Sequence, residues 1–570
     1  MTNGAIVDIL EQTAKLMELH DADVFKIKSY GAAAYGLDRV KDTQIAEMTF
    51  GQLTQISGVG KGVAGKVQEI AQTGQLRELN ELVAQTPDGI LQMFGVKGIG
   101  PKKIRKLWLD LGIDNLKDLK LACQTGQIAA LKGFGDKIQQ QVLESLVFLE
   151  DQVGKLRMDK AETLAQDILE GLEKRFANAE ITGQVRRKVE RVDVVQLLVA
   201  DEQPTRAQEL IDEISFLTKN EPQSTPFVWR GKSNDFDVAV EIVSVLPHKF
   251  ENQLFVLNAS EAHLSQRGAA GRTLYEIAQK ETIADDTSVY ALAGLPYIVP
   301  EMREGAGEFE WAANHPIDDL ITWNDLRGIL HNHSTYSDGK HSLTQMARRC
   351  QELGFAYFGI ADHSQSATYA QGLSEDQVRQ QQIEIDELNQ QFATEGNSFR
   401  ILKGIEADIL GDGMLDYPDD VLATFDYVVA SVHSNLTMTQ EKATARLLRA
   451  IENPYTTILG HPTGRLLLAR EGYPIDHKAV IDACAAHSVV VEINASPYRL
   501  DLDWRWIRYC MEKGVKLSIN PDAHEMDGFY DMHYGVAVAR KGGLTRQMTF
   551  NTLTLNEITN YLTTRRAKVR

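Results

Sequence analysis

Apolar and polar positions change their rhythm twice along the chain. Up to residue 150 apolar residues recur at helical spacing. Three stretches there, LTQISGVGKGVAGKVQEI (53–70), LQMFGVKGIGPKKIRKLW (91–108) and IAALKGFGDKIQQQVLESL (128–146), repeat one pattern: an apolar helix end, a Gly-x-Gly turn, then an amphipathic helix. Residues 151–315 mix two periods, with a helix predicted near 160–176 and strands at ITGQV, RVDVVQLLVA and DFDVAVEIVSVL. After the connection HPIDDLITWNDLRG, short apolar strands (GIL, YFGIA, RILKGIEADI, YVVASVH, TTILGH, VVVEI, KLSIN) alternate with helices through 328–570. Each ends in a polar or charged cluster, which predicts a barrel-like parallel β/α fold with its site at the strand C-termini.

Those strand ends collect one kind of chemistry: His331, His333, Asp338, Asp362, His363, Glu406, His433, His461, Asp522 and His524. Alternate residues of a strand share a face, so His331 and His333 are expected to point together, as are Asp522 and His524. Imidazole with carboxylate suits Zn, Mn or Fe rather than Mg or Ca, and such a cluster activates water and neutralises a phosphoryl oxygen. Some positions stay open. His341 is an alternative to Asp338 but reads as a surface residue, Asp362 either ligates or orients His363, and Asp408 is equally a ligand or a buried partner. His487 and His533 match no strand end and are expected to face solvent. Arg465 and Arg499, beyond strand ends, are candidates to hold a phosphate by paired hydrogen bonds, and Asn494 reads as a structural amide.

In the first 150 residues, the pairs Gly58/Gly60, Gly98/Gly100 and Gly133/Gly135 permit positive φ and close backbone approach. Backbone N–H groups at a helix N-terminus can then face a phosphate, with Lys61, Lys66, Lys102, Lys103, Lys106 and Lys137 adding charge. This arrangement resembles the helix-hairpin-helix motif of DNA-binding proteins. Phe25, Tyr30 and Tyr35, at near-helical spacing, are expected in the core.

The net charge of −19 over 570 residues opposes that reading's partner, DNA, if taken as an average. The first 150, however, hold 17 Lys and Arg against 18 Asp and Glu. Nearly all the excess lies further on. No stretch suits a membrane span or a leader, and four scattered cysteines without a CxxC fit a reducing compartment, so a cytoplasmic monomer is expected.

LHNHSTYSDG, IADHS, GIEADIL, SVHS, GHPTGR, EINASPYRLD and NPDAHE resemble, in order, the motifs of the polymerase and histidinol phosphatase (PHP) family. The resemblance implies a distorted seven-stranded (β/α)7 barrel with two or three Mn²⁺ or Zn²⁺ ions. One ion would take His331, His333, Glu406 and Asp522; a second would share Glu406 and add His433 and His461; a third would take Asp338, His363 and His524. Ile329 stands where relatives usually have Asp. Together with FKIKSYGAAAY, TGQVRRKVERVDVVQLL and YALAGLPYIVPEMREGAGE, the whole chain resembles bacterial family X DNA polymerases.

That likeness implies a multidomain chain. An all-α DNA-end-binding, lyase-like domain (1–85) precedes fingers-like helices (86–150). An α+β nucleotidyltransferase-like palm (151–245), a thumb-like domain (246–315) and a linker (316–327) lead to the PHP domain (328–570). It implies a DNA-repair enzyme working at 3′ ends, gaps or nicks as a 3′-5′ exonuclease, and aligns Lys66 with the family's Schiff-base lysine, although a phosphate contact or a solvated helix lysine is the plainer reading. The palm departs from the pattern. Its Gly-Ser turn reads Gly183-Gln184, and its three carboxylate positions fall on Val194, Gln196 and Glu241. A one-residue slip offers only Asp193, Asp235 and Asp237 lack the preceding turn, and the nucleotide-side turn reads Val256-Leu257-Asn258-Ala259-Ser260. Mg²⁺ needs hard oxygen ligands, so polymerisation is expected to be weak or absent; a gap-filling polymerase and a DNA-binding scaffold with a small-molecule phosphatase are the alternatives. Arg186 and Arg187 could still hold a phosphate.

Overall fold

A computed structural model describes residues 3–38, 40 and 44–567, in two compact units, Met1–Val153 and Gly154–Arg570. No helix among the described residues is long and apolar enough to cross a membrane.

The first unit is helical. Each Gly-x-Gly turn feeds a helix: Lys61–Thr73, Pro101–Leu111 and Gly135–Gln152. The middle residues Val59, Ile99 and Phe134 are buried, while both glycines of every turn are exposed. An apolar plug thus pins the turn to the core and leaves its backbone outside. In the first two turns Gly58 and Gly98 take φ of +87° and +90°, and Gly60 and Gly100 cap the following helix in extended backbone. The third differs: Gly133 and Gly135 are both left-handed and Phe134 is the cap. The expected helix, Gly-x-Gly turn and helix are thus present three times, and the third copy differs only in how its turn caps the helix.

The expectation that Phe25, Tyr30 and Tyr35 share the core is corrected. Tyr30 is buried with Ala33, Ala34 and Leu37 on one face of the helix Val24–Asp38, but Phe25 is 81% and Tyr35 64% exposed. Five residues advance a helix by about 140° beyond a full turn, so neither can share the face of Tyr30.

The second unit opens with β1 (Leu156–Arg157), paired antiparallel to β3 (Arg191–Val192). Between them lie the helix Met158–Glu173 and β2 (Asn178–Thr182). A five-stranded sheet follows, ordered β2-β4-β7-β6-β5, from β4 (Val194–Ala200), β5 (Leu217–Lys219), β6 (Val228–Ser233) and β7 (Ala239–Val245). Only β4 and β7 run parallel, and their register sets Gln196 beside Glu241. Asp235 and Asp237, expected to open the third strand, lie in the turn before it, because β7 begins at Ala239.

The remaining strands are all parallel. β8 (Gly328–Ile329), β9 (Tyr357–Gly359) and β10 (Arg400–Leu402) form one sheet, ordered β10-β9-β8. β11 (Gly404–Asp408), β12 (Tyr427–Ser431), β13 (Ile458–Leu459), β14 (Val490–Asn494) and β15 (Leu517–Asn520) form the other in sequential order. Single bridges join the two sheets at both margins: Asn332 to Ala523 and His363 to Glu406. Lys403 alone separates β10 from β11. The pairings therefore run around a ring whose strand C-termini gather on one side, each strand largely buried because both its faces are covered.

Candidate metal centre and nucleic-acid interface

Eight of the nine expected ligand residues follow strand C-termini in that ring, and the ninth, Glu406, the third residue of β11, is at their middle. Its carboxylate lies 3.2 Å from His331 Nε2, 2.9 Å from His363 Nδ1, 3.2 Å from His433 Nε2 and 3.0 Å from His461 Nε2. Asp522 Oδ1 is 3.0 Å from His333 Nε2, and Asp338 Oδ1 is 3.4 Å from His524 Nε2. Ligand atoms lie within 4.8 Å of one another in three sets: His331, His333 and Asp522; His363, Glu406 and His433; and His333, Asp338, His363 and His524. This differs from the implied partition. Glu406 is absent from the set of His331, His333 and Asp522, His363 rather than His461 completes the set of Glu406 and His433, and His333 and His363 each belong to two sets.

The strand alternation invoked for His331 and His333 does not operate. β8 ends at Ile329, and His331 takes φ of +58°; Asp522, likewise past its strand, takes +53°. A sharp left-handed turn after each strand, rather than a pleat, folds the side chains back over the ring. Such backbone in a non-glycine residue costs on the order of 1–3 kcal/mol and persists where surroundings enforce it.

The surroundings are a buried shell of acceptors. Glu492 takes His331 Nδ1 at 2.6 Å, the backbone N–H of His461 at 2.7 Å and Asn520 Nδ2 at 2.8 Å. Asp408 takes His433 Nδ1 at 2.5 Å, which decides its open role in favour of a buried partner. Asn494 donates to Asp522 at 3.0 Å. Asp362 points away from the cluster and accepts from Ser334, Ser337 and Gln381, so it fastens the loop carrying Asp338. Glu492 escaped the sequence reading; its signal is a lone carboxylate inside the apolar strand VVVEIN.

Charge at the centre is set by this crowding. Burial works against ionised Glu406 and Asp522, yet neighbouring imidazoles outweigh it and hold both carboxyls well below their usual range. Burial also opposes charge on His433 and His524, but Glu406 and Asp408 lift the first to about 10, and Asp338 and Asp522 lift the second to about 9. His331 Nε2, His333 Nδ1, His363 Nδ1 and Glu406 Oε2 are buried without a hydrogen-bond partner although they crowd together. Inward-facing imidazole nitrogens and ionised carboxylate oxygens with no aligned partner fit divalent cations of the Mn or Zn kind.

The two arginines divide. Arg465 is committed: Nε donates to Arg499 O at 2.9 Å, Nη1 pairs with Asp503 at 2.6 Å, and Nη2 donates to Leu500 O. Three of its five N–H donors are thus held inside the chain, which weighs against the expected phosphate contact. Arg499 lies 3.5 Å from Asp522 and helps burial depress His461, so its guanidinium stands at the centre. His487 and His533 are exposed, and Met526 N reaches His341 Nδ1 at 3.4 Å.

In the five-stranded sheet the expected catalytic positions 196 and 241 do come together, with one carboxylate between them. Gln196 Nε2 donates to Glu241 Oε1 at 2.8 Å, and Arg230 Nε pairs with Glu241 Oε2 at 2.7 Å. Gln184 folds onto the neighbouring strand entry, donating to Asp193 and accepting its backbone N–H. Gly183, at φ +64°, has no room for a side chain because Gln196 Oε1 would lie 2.2 Å from a Cβ. Arg187 is taken by Glu304 and Leu257 O, whereas Arg186 is exposed.

In the helical unit the candidate lysines differ in freedom. Lys103 donates to Gly98 O at 3.0 Å and Lys106 to Lys132 O at 2.6 Å, bracing the second and third turns. Lys66 lies between Glu69 at 3.4 Å and Glu78 at 3.9 Å. Lys102 is exposed and 3.6 Å from Glu18, and Lys61 and Lys137 are exposed.

Comparison with known proteins agrees with this division. The model described as Helix-hairpin-helix domain matches residues 1–76, SAM-like Helix-hairpin-helix tandem matches 90–147, and PHP domain matches 330–496. The chain is 34% identical over 573 residues to the DNA polymerase/3′-5′ exonuclease PolX of Bacillus subtilis (strain 168), covering 98% of each. The chain belongs to the family X DNA polymerases that carry a C-terminal PHP domain. Family X polymerases of this build share that domain with shorter proteins. A probable phosphatase of Thermoanaerobacter sp. (strain X514) is 27% identical over 253 residues, 42% of this chain and 95% of its own. Another, of Clostridium acetobutylicum, is 35% identical over 133 residues, 22% of this chain and 52% of its own.

Proposed function

We propose that this chain is a DNA-repair nuclease that removes nucleotides from 3′ ends at its PHP centre and has lost templated polymerisation. The observation that carries the reading is Glu406, within 3.2 Å of four imidazoles in a buried ring of ligand-type atoms. His331, His333, Asp338, His363, Glu406, His433, His461, Asp522 and His524 would hold Mn²⁺ or Zn²⁺. Bound cations supply Lewis acidity, which makes water nucleophilic at neutral pH and offsets charge on a phosphoryl oxygen. The chain's own residues do the rest. Glu492 and Asp408 fix the tautomer and orientation of His331 and His433, and Arg499 offers a guanidinium to the phosphate. In the reaction a water oxygen bonds to phosphorus, and the 3′ oxygen of the preceding nucleotide leaves and takes up a proton.

Binding would fall to the helical unit, where Gly60 and Gly100 cap helices without a side-chain partner and leave first-turn N–H groups for a phosphate. Loss of polymerisation is supported by the neutral Gln196–Glu241–Arg230 network, in which the one remaining carboxylate already has a cation.

The test is release of a 3′ label from gapped duplex by the full chain with Mn²⁺. His331→Ala and His333→Ala should lower release at least a hundredfold and leave DNA binding intact; undiminished release would refute the assignment. The phosphatase-named relatives favour one other reading, a small-molecule phosphatase, which predicts turnover of a phosphomonoester and none of DNA.

A further inference from the structure

The segment between His363 and Leu373 is fastened along its length. Ser364 Oγ and Ser366 N both donate to Asp416, at 2.7 and 2.9 Å. Ala367 N donates to Ser364 O at 3.0 Å, Ala370 N to Ala367 O at 3.0 Å, and Leu373 N returns to His363 O at 2.8 Å. Ala367 and Ala370 are buried, and Gly372 packs so closely that a Cβ would lie 1.8 Å from Ser364 O. Between the two buried alanines, Tyr369 projects outward and is 66% exposed. Its ring centroid is 6.0 Å from that of His363 and 6.3 Å from that of His433, and its hydroxyl has no hydrogen-bond partner among the described residues.

A rigid loop that holds a large aromatic ring in water at the lip of an ionic centre forgoes hydrophobic stabilisation within the chain. A phosphate held among His363, His433 and Arg499 would bring whatever is attached to it against that ring. A small phosphomonoester needs no such surface. A nucleotide does, because every base has a π-face and stacks on aromatic side chains at about 1–3 kcal/mol per base with little regard to sequence.

We propose that Tyr369 is the platform on which the 3′-terminal nucleobase stacks, a positioning residue that fits the centre to nucleic acid rather than to small phosphate esters. The inference rests on the nuclease reading above, and the experiment separates the two. The full chain with Mn²⁺ is given duplexes whose 3′-terminal residue either carries a base or is a base-free tetrahydrofuran. Tyr369→Ala should raise KM for the base-bearing end about tenfold, as loss of one stack implies, and leave the base-free end cleaved as by the parent. Tyr369→Phe should restore the parent's behaviour. As a readout independent of turnover, a 3′-terminal 2-aminopurine joined by a non-hydrolysable linkage should be quenched on binding the parent and not Tyr369→Ala. Equal losses on both ends, a Phe variant as impaired as Ala, or unaltered quenching would overturn the proposal while leaving the nuclease reading in place. A parent that releases neither terminus would overturn both.

Discussion

At the scale of single residues, the glycines of the helix-hairpin-helix turns separate structural need from contact with a ligand. Gly58 takes φ +87°, and a Cβ there would lie 2.3 Å from Ala32 O. Gly60 and Gly100 have ordinary extended backbone, and a Cβ on either would meet nothing within 4 Å. Nothing inside the unit requires glycine at those two positions, which leaves room there for a close approach of phosphate to backbone. Gly60→Ala and Gly100→Ala should leave the melting temperature within about 2 °C of the parent, as surface changes away from strain do. They should weaken DNA binding several-fold, read by fluorescence anisotropy; Gly58→Ala should instead lower the melting temperature by several degrees. Unchanged affinity in the first two would remove these turns from the interface. Glu492 teaches the complementary lesson. A carboxylate in an apolar strand was legible, but its role was not, because its three partners come from β8, β13 and β15 regions far apart in sequence.

At the scale of elements, the five-stranded sheet keeps the expected catalytic positions side by side with only one carboxylate among them. The parallel β4–β7 register still sets positions 196 and 241 side by side, and the left-handed glycine turn still leads into it. Arg230, on the adjacent β6, reaches across to Glu241. Sequence alone revealed the missing carboxylates at Val194 and Gln196 but not the arginine, since cross-strand neighbours depend on register. On a gapped template with Mg²⁺ or Mn²⁺, the full chain should give no templated extension above background in a primer assay. Efficient extension would mean that Glu241 exchanges Arg230 for a metal. The separate β1–β3 pair meets the PHP domain through Arg157, at the end of β1, whose guanidinium stacks 3.7 Å over the ring of Tyr498, the residue before Arg499.

At the scale of the whole molecule, charge is the property to test. The net −19 is carried almost entirely beyond residue 150, and part of it, at Asp338, Glu406 and Asp522, would be offset by bound cations. DNA affinity should therefore depend steeply on salt and trace to the first unit. Replacing exposed Lys61, Lys102 and Lys137 with Gln should shallow the slope of log affinity against log salt by about 2 to 3, if each meets one phosphate of duplex DNA. An unaltered slope would place the contacts elsewhere in the chain.

The sequence by itself determined the helical first part, the α/β alternation, the nine residues of the candidate centre and the loss of palm carboxylates, because each is written as local period, strand-end composition or motif. Tertiary structure decided what depends on residues meeting from distant segments. It turned His331 and Asp522 inward by left-handed turns instead of strand pleats, engaged Arg465 inside the chain while leaving Arg499 at the centre, and gave Glu492 and Asp408 their imidazoles. It also set Tyr369 outward between two buried alanines, a position that no pattern of neighbours in the sequence distinguishes from burial.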